Sequence, residues 1–176
     1  MAEDAARLKK KLSGGDMRSI GCVPEVIEDA LANPANIPVL IQMMVDESPL
    51  IRMRASDAVE KLCASNPAFI QPYKEFLINH VAKIPQQEVR WHFAQIVPRL
   101  KMDETEKQVV VSVLMEYLGD KSKIVVVSAM DALAKFALED ADLRLKVVPI
   151  LEDLTEHGSS ALQSRGRKLL RLLGKR

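Results

Sequence analysis

The chain repeats itself with a period that suits pairs of helices and little else. Shifted along its own length, Leu40-Ile41 falls on Phe76-Leu77, Val113-Leu114 and Ile150-Leu151, at steps of 36, 37 and 37 residues. One turn earlier Ile37 meets Tyr73, Val110 and Val147, and one turn later Met44 meets His80, Tyr117 and Leu154. A second set of columns follows: Ile51/Val89/Val125/Leu162, Ala55/Phe93/Ala129/Gly166, Ala58/Ile96/Ala132/Leu169, Val59/Val97/Leu133/Leu170 and Leu62/Leu100/Phe136/Leu173. Within each copy the columns fall at i, i+4, i+7, i+8 and i+11, which is one face of an α-helix. Each repeat therefore reads as two amphipathic helices, and a period of this size is the mark of a stacked repeat architecture.

The punctuation agrees. Asp46-Glu47-Ser48-Pro49, Ile84-Pro85-Gln86-Gln87, Gly119-Asp120-Lys121-Ser122 and His157-Gly158-Ser159-Ser160 carry turn and cap residues between the helices of a pair. Asn66-Pro67, Lys101-Met102-Asp103 and Glu139-Asp140-Ala141-Asp142 separate the pairs. The expected helices span 36–46, 49–65, 67–83, 86–101, 104–118, 121–138, 142–156 and 159–173. The β-rich runs Val109–Val111 and Ile124–Val127 keep the helical register and are read as helix. Residues 1–35 fall outside it. Residues 1–15 are a flexible or short helical segment broken at Ser13-Gly14-Gly15, and a helix from about Pro24 completes an N-terminal cap. Residues 16–176 are expected to form one domain with repeats near 36–65, 67–101, 104–138 and 142–173.

Only 4% of residues are aromatic while 48% are hydrophobic, so the core must be aliphatic and a β-sandwich or barrel is disfavoured. The net charge of +1 gives no global pull toward nucleic acid or anionic membrane. Locally, Arg165, Arg167, Lys168, Arg171, Lys175 and Arg176 make the C-terminal helix purely basic, which leaves the rest of the chain acidic on balance. Two cysteines, Cys22 and Cys63, are too few for a disulfide framework. No apolar run is long enough to span a bilayer, and the first residues lack a signal peptide's apolar stretch. A cytoplasmic location is the expectation.

The segment Ile37–Leu62 resembles a HEAT repeat: an apolar first helix, Asp46 in the turn, then Ile51-Arg52 and the small residues Ala55 and Ala58 in the second helix. Val89-Arg90 repeats the pair and Asp120 the turn aspartate. The resemblance to HEAT-like and armadillo-like repeats covers roughly 36–173, and it loosens toward the C-terminus. It implies an all-α fold, a right-handed α-α superhelix of about four helix pairs plus the cap. It also implies that Asp46, Arg52, Arg90 and Asp120 form a structural ladder, with Arg90 reaching Asp46 or Asp120 across a repeat boundary.

Catalytic chemistry is absent from the pattern. There is no phosphate-cradling glycine loop and no nucleophile elbow, and His80, His92 and His157 do not have metal-ligand spacing. His80 shares an apolar column and is expected to be partly buried. No enzyme activity, cofactor or metal is expected. In a HEAT stack the second helices line the concave side, and solenoids bind through such surfaces. The columns off the core face run Arg54/His92/Ser128/Arg165, Asp57/Gln95/Asp131/Lys168 and Lys61/Arg99/Lys135/Leu172, with Met53, Trp91, Val127 and Ser164 beside them. Candidate partner contacts are therefore Arg54, Asp57, Lys61, Trp91, His92, Gln95, Arg99, Asp131, Lys135, Arg165 and Lys168.

Trp91 is either a binding anchor or the cover of a junction between repeats. The basic C-terminal helix is either a polar end cap or a docking site for an acidic partner. The expected function is a non-catalytic protein- or peptide-binding scaffold, a monomer or weak dimer. The alternative is a nucleic-acid module, a glycosylase-like cleft in which Trp91, Arg54, Arg99, Arg165 and Lys168 line the groove and Asp57 or Asp131 is the acid.

Overall fold

A computed structural model describes residues 2–174. The protein is all helical, with ten α-helices among the described residues. The β-rich runs at Val109–Val111 and Ile124–Val127 are both helical. The chain forms two compact units, Met1–Lys101 and Met102–Arg176. Their boundary falls between the second and third helix pairs of the sequence register.

The first unit contains α1 (Ala2–Leu12), α2 (Val23–Ala32), α3 (Ile37–Met43), α4 (Pro49–Ser65), α5 (Lys74–Asn79) and α6 (Gln87–Ile96). Proline opens α2, α3 and α4, where a missing N–H costs nothing. The N-terminal cap is a helix pair of its own. Its second helix leaves through Asn33-Pro34-Ala35, where the Asn33 side chain accepts from the Ala35 amide; Asn66-Pro67-Ala68 repeats this turn after α4. Helix α4 is the hub: α1, α2, α3 and α6 all pack on it, and nine of its residues are buried.

The helix expected over 67–83 is broken. It runs as 3₁₀ turns at Pro67–Phe69 and Gln71–Tyr73, the short α5, and a further turn at Val81–Lys83. Pro72 causes this, because it has no amide to bond one turn back and it disfavours a helical residue before it. Pro98 likewise ends α6 at Ile96 and leaves Val97–Arg99 as a 3₁₀ turn. With α5 ending at Asn79, His80 leaves the apolar column. It is exposed and lies against the Phe76 ring at 4.8 Å, a correction to its expected burial.

The second unit contains α7 (Glu104–Tyr117), α8 (Lys123–Glu139), α9 (Ala141–His157) and α10 (Ser160–Leu172). Asp103 and Glu106 close a reciprocal capping box on α7, and the Asp140 carboxylate accepts from the Leu143 amide to start α9. Arg144 donates to the carbonyls of Ala137 and Leu138 and so satisfies the end of α8. Helices α9 and α10 meet at Gly166, where Thr155 occupies the space of a side chain.

The leading columns of the second helices are core. Ile51, Val89, Val125 and Leu162 are buried, as are Ala55, Phe93, Ala129 and Gly166. Among the described residues two buried side-chain atoms make no hydrogen bond, Oδ1 of Asn36 and the hydroxyl of Ser56 on α4. An unsatisfied buried hydroxyl is a net cost. Ser56→Ala is therefore expected to raise the unfolding free energy by about 1 kcal/mol, read from the denaturant midpoint. An equal loss of stability would show that the hydroxyl is satisfied in solution.

Candidate partner-binding faces

In the first unit the candidate residues come from α4 and α6. Helical spacing puts Asp57 and Lys61 one turn apart, and their side chains pair at 2.7 Å. The Asp57 carboxylate also lies 3.5 Å from Nε2 of His92. The His92 Nδ1 is 2.7 Å from the Glu88 carbonyl, which can only accept, so Nδ1 carries a proton. In the neutral ring Nε2 then accepts from Trp91 Nε1 at 3.1 Å. The indole is thus held by a neighbour that is itself held by the main chain. Trp91 and Gln95 are half-buried and Lys61 is exposed. Asp57, Lys61, Trp91 and His92 form one cluster.

Burial pushes the Asp57 carboxyl up, but its contacts with His92 and Lys61 outweigh it and hold its pKa below the ordinary value. The folded state therefore binds this proton more weakly than the unfolded chain does. The carboxylate stabilises the fold above the ordinary value of 3.8, and that contribution is lost as the pH falls further. Asp57→Asn is expected to flatten the acid limb of the stability profile in this window. An unchanged limb would mean that the pairs do not form.

Arg54 corrects the sequence reading. The spacing puts it on a column off the core face, yet it is only 1% exposed. Its guanidinium donates to five main-chain carbonyls of the N-terminal segment: Nη1 to Leu12 (2.9 Å), Ser13 (3.3 Å) and Gly14 (2.7 Å), Nη2 to Asp16 (3.2 Å), and Nε to Ser19 (3.0 Å). Residues 12–19 lie over α4, and Arg54 has no surface left for a partner. The same column is buried at His92 and Ser128, and Met53 beside it is buried too. The reason is geometric. Neighbours pack on second helices over a wider arc than a two-helix repeat implies.

Arg99 donates to Glu60 at 2.7 Å. Above them, burial raises the Cys63 thiol to about 11, so it stays protonated and unreactive. The arginines of the expected ladder bond turn groups of their own repeats, and further residues join them. Arg52 donates to the carbonyls of Asp46 and Glu47, and to Gln86 at 2.7 Å. Gln86 in turn donates to the Pro49 carbonyl at 2.9 Å, taking the place of a turn aspartate. The Asp46 carboxylate accepts from Lys9 and from the Ser48 amide. Burial raises its pKa, and these two bonds more than reverse the effect. Arg90 finds the Ile84 carbonyl of its own turn at 3.3 Å. Sequence reasoning missed Gln86, Glu60 and Lys9, although each stands near one repeat length from its partner, at 34, 39 and 37 residues.

In the second unit α8 and α10 carry the remaining candidates. Arg165 grips Asp131 with two bonds, Nε to Oδ1 and Nη2 to Oδ2, the latter 2.7 Å. Lys135 and Lys168 are exposed. Asp120 accepts from the Ser122 amide and shapes its turn. Lys175 and Arg176, two of the six C-terminal bases, lie outside the described residues. A groove of about 600 Å³ opens between α7 and α9, among Glu104, Lys107, Gln108, Asp140, Asp142 and Lys146. Lys107 and Asp140 pair across it at 2.5 Å; their hydrogen bond raises the lysine and lowers the aspartate. This groove belongs to the first helices of its pairs, where the repeat pattern placed no site.

Among the described residues no group of three metal-ligating side chains comes together, and no helix is long and apolar enough to cross a membrane. No protein-family model matches the chain, and no curated protein shows significant similarity to it.

Proposed function

We propose that this protein is a short HEAT-like α-solenoid, a right-handed superhelix of helix pairs, acting without catalysis as a binding scaffold for another protein or peptide in the cytoplasm. Trp91 carries the reading. It is half-exposed, and its indole N–H is fixed by His92, which itself lies 3.5 Å from the Asp57 carboxylate. A large, rigid aromatic in a polar rim is the make-up of an interface anchor, since little freedom is lost when it is covered. Asp57, Lys61, Gln95 and Arg99 are the further contact candidates on the first unit. Asp131, Lys135, Arg165 and Lys168 offer a charged surface on the second.

The nucleic-acid alternative draws less support. Arg54 is spent on main-chain carbonyls, and Arg99 and Arg165 each hold a carboxylate. Phosphate binding by the last two would first require breaking those pairs.

The test is a pull-down from native lysate with the wild-type chain beside a Trp91→Ala/Lys61→Glu variant of equal melting temperature. A protein retained by the wild type and reduced at least about tenfold with the variant supports the reading, because anchor truncations commonly cost this much. Equal recovery overturns the choice of face. Nucleic acid retained only at low salt moves the function to the alternative.

A further inference from the structure

Helix α1 sits in the first unit as a ligand sits in a groove. It buries two side chains completely, Leu8 and Leu12, one turn apart against α2, α3 and α4. The rest of its hold is electrostatic and lies at the rim. Arg7 and Lys11 converge on Asp29 at 2.6 and 2.7 Å, and Lys9 reaches Asp46 at 2.6 Å. Its end is read by Arg54, which collects the carbonyls at and just beyond the last turn. Those carbonyls have no partner within a helix, and they mark the negative end of its dipole. Every residue of the connection 13–21 is exposed, and Gly14, Gly15 and Gly21 all have positive φ, the left-handed turns that bring its carbonyls onto Arg54.

We infer that the groove formed by α2, α3 and α4, with Arg54 at its end and Asp29 and Asp46 at its rim, is an acceptor site for a basic amphipathic helix of a partner protein, and that α1 occupies it in cis. The ligand class is set by what the groove already holds: two leucines four residues apart, flanking lysines or arginines, and a free carbonyl end. Two acidic rim groups select the basic flanks, and Arg54 selects a terminating helix over a continuing one. The inference rests on the scaffold reading and gives its first partner chemistry. Arg54 lies one turn before Asp57 on α4, so a departing α1 frees the Nη1 edge of its guanidinium while the connection still holds the rest at Asp16 and Ser19.

The experiment uses the full chain. Leu8→Asp/Leu12→Asp undocks the cis helix and leaves every groove residue in place. A fluorescent peptide with the sequence of residues 2–16 is then titrated in and followed by anisotropy. The variant is expected to bind it at least about tenfold more tightly than wild type, whose own α1 competes at high effective concentration. Adding Arg54→Gln should remove about tenfold or more of that affinity, as the loss of charge-assisted hydrogen bonds implies. A folded variant that ignores the peptide overturns the inference, as does equal binding of a peptide with aspartates in place of its leucines. Loss of binding on Trp91→Ala also overturns it, by moving the peptide to the α6 patch; an unchanged affinity separates this groove from the Trp91 face. Dimerisation of the wild-type chain through exchanged α1 helices would assign the groove to a second copy instead. Should the variant fail to fold, amide exchange on the wild type decides: residues 2–21 losing protection well before α4 supports the inference, and simultaneous loss overturns it.

Discussion

Gly166→Ala is expected to unfold or severely weaken the second unit. A methyl group at this position would lie 2.0 Å from Oγ1 of Thr155 and 3.3 Å from the Leu151 carbonyl. Thr155 cannot simply swing aside, because its hydroxyl donates to Leu151 at 2.6 Å and its Cβ would itself stand 3.2 Å away. The two helices must separate, and both contribute buried leucines, Leu151 from α9 and Leu162 and Leu169 from α10. Overpacking of this kind costs about 1–3 kcal/mol, and the backbone shift puts this site at the upper end. The measurement is the denaturant midpoint of the single variant beside Thr155→Ala and the double variant. The clash predicts coupling, with Thr155→Ala returning at least about 1 kcal/mol to Gly166→Ala. Additive effects would mean that the helices do not approach this closely.

Arg54→Met is the second large effect. The guanidinium is buried, and among the described residues all its hydrogen bonds go to main-chain oxygens. Methionine fills the volume and donates nothing. Hydrogen bonds to charged groups are worth about 1.5–3 kcal/mol each, but the loop carbonyls lie near water and recover part of that by hydration. The expected loss is about 3 kcal/mol in total. Arg54→Lys should recover little, because an ammonium offers three donors where the planar fork offers five. Gly21 enforces the same geometry: its φ is +57° and a Cβ there would stand 2.8 Å from Cζ of Arg54. Amide exchange should locate the damage in residues 2–21. Uniform loss of protection across α3 to α6 would instead make Arg54 an ordinary core residue.

The helical pairs were legible because burial follows the period of the helix. Ile51, Val89, Val125 and Leu162 could be matched by counting, and all four are core. The breaks at Pro72 and Pro98 carried their own warning in a missing amide, and a continuous helix over 67–83 ignored it. Asp103 with Glu106 is likewise a local signal that produced a local result.

The candidate face was only half legible. Trp91 off the core column was visible in the spacing; that His92 fixes its indole was not, since the bond depends on one rotamer pair. Arg54 misled in the other direction. Counting along α4 places it opposite the core, but what covers it comes from residues 35 to 42 positions earlier, outside the repeat.

The sequence by itself therefore determined the helices, their pairing and the composition of the core, because each follows from periodicity and from caps and prolines within one turn. The tertiary structure alone decided which polar residues remain surface. That choice depends on long-range cover: on α1 and its loop lying over Arg54, on Lys9 rather than an arginine taking the Asp46 carboxylate, and on Gln86 answering Arg52 from the next helix pair. A charged side chain on an amphipathic helix has the same local pattern whether water or a neighbouring segment receives it. Only the packing of distant segments distinguishes the two.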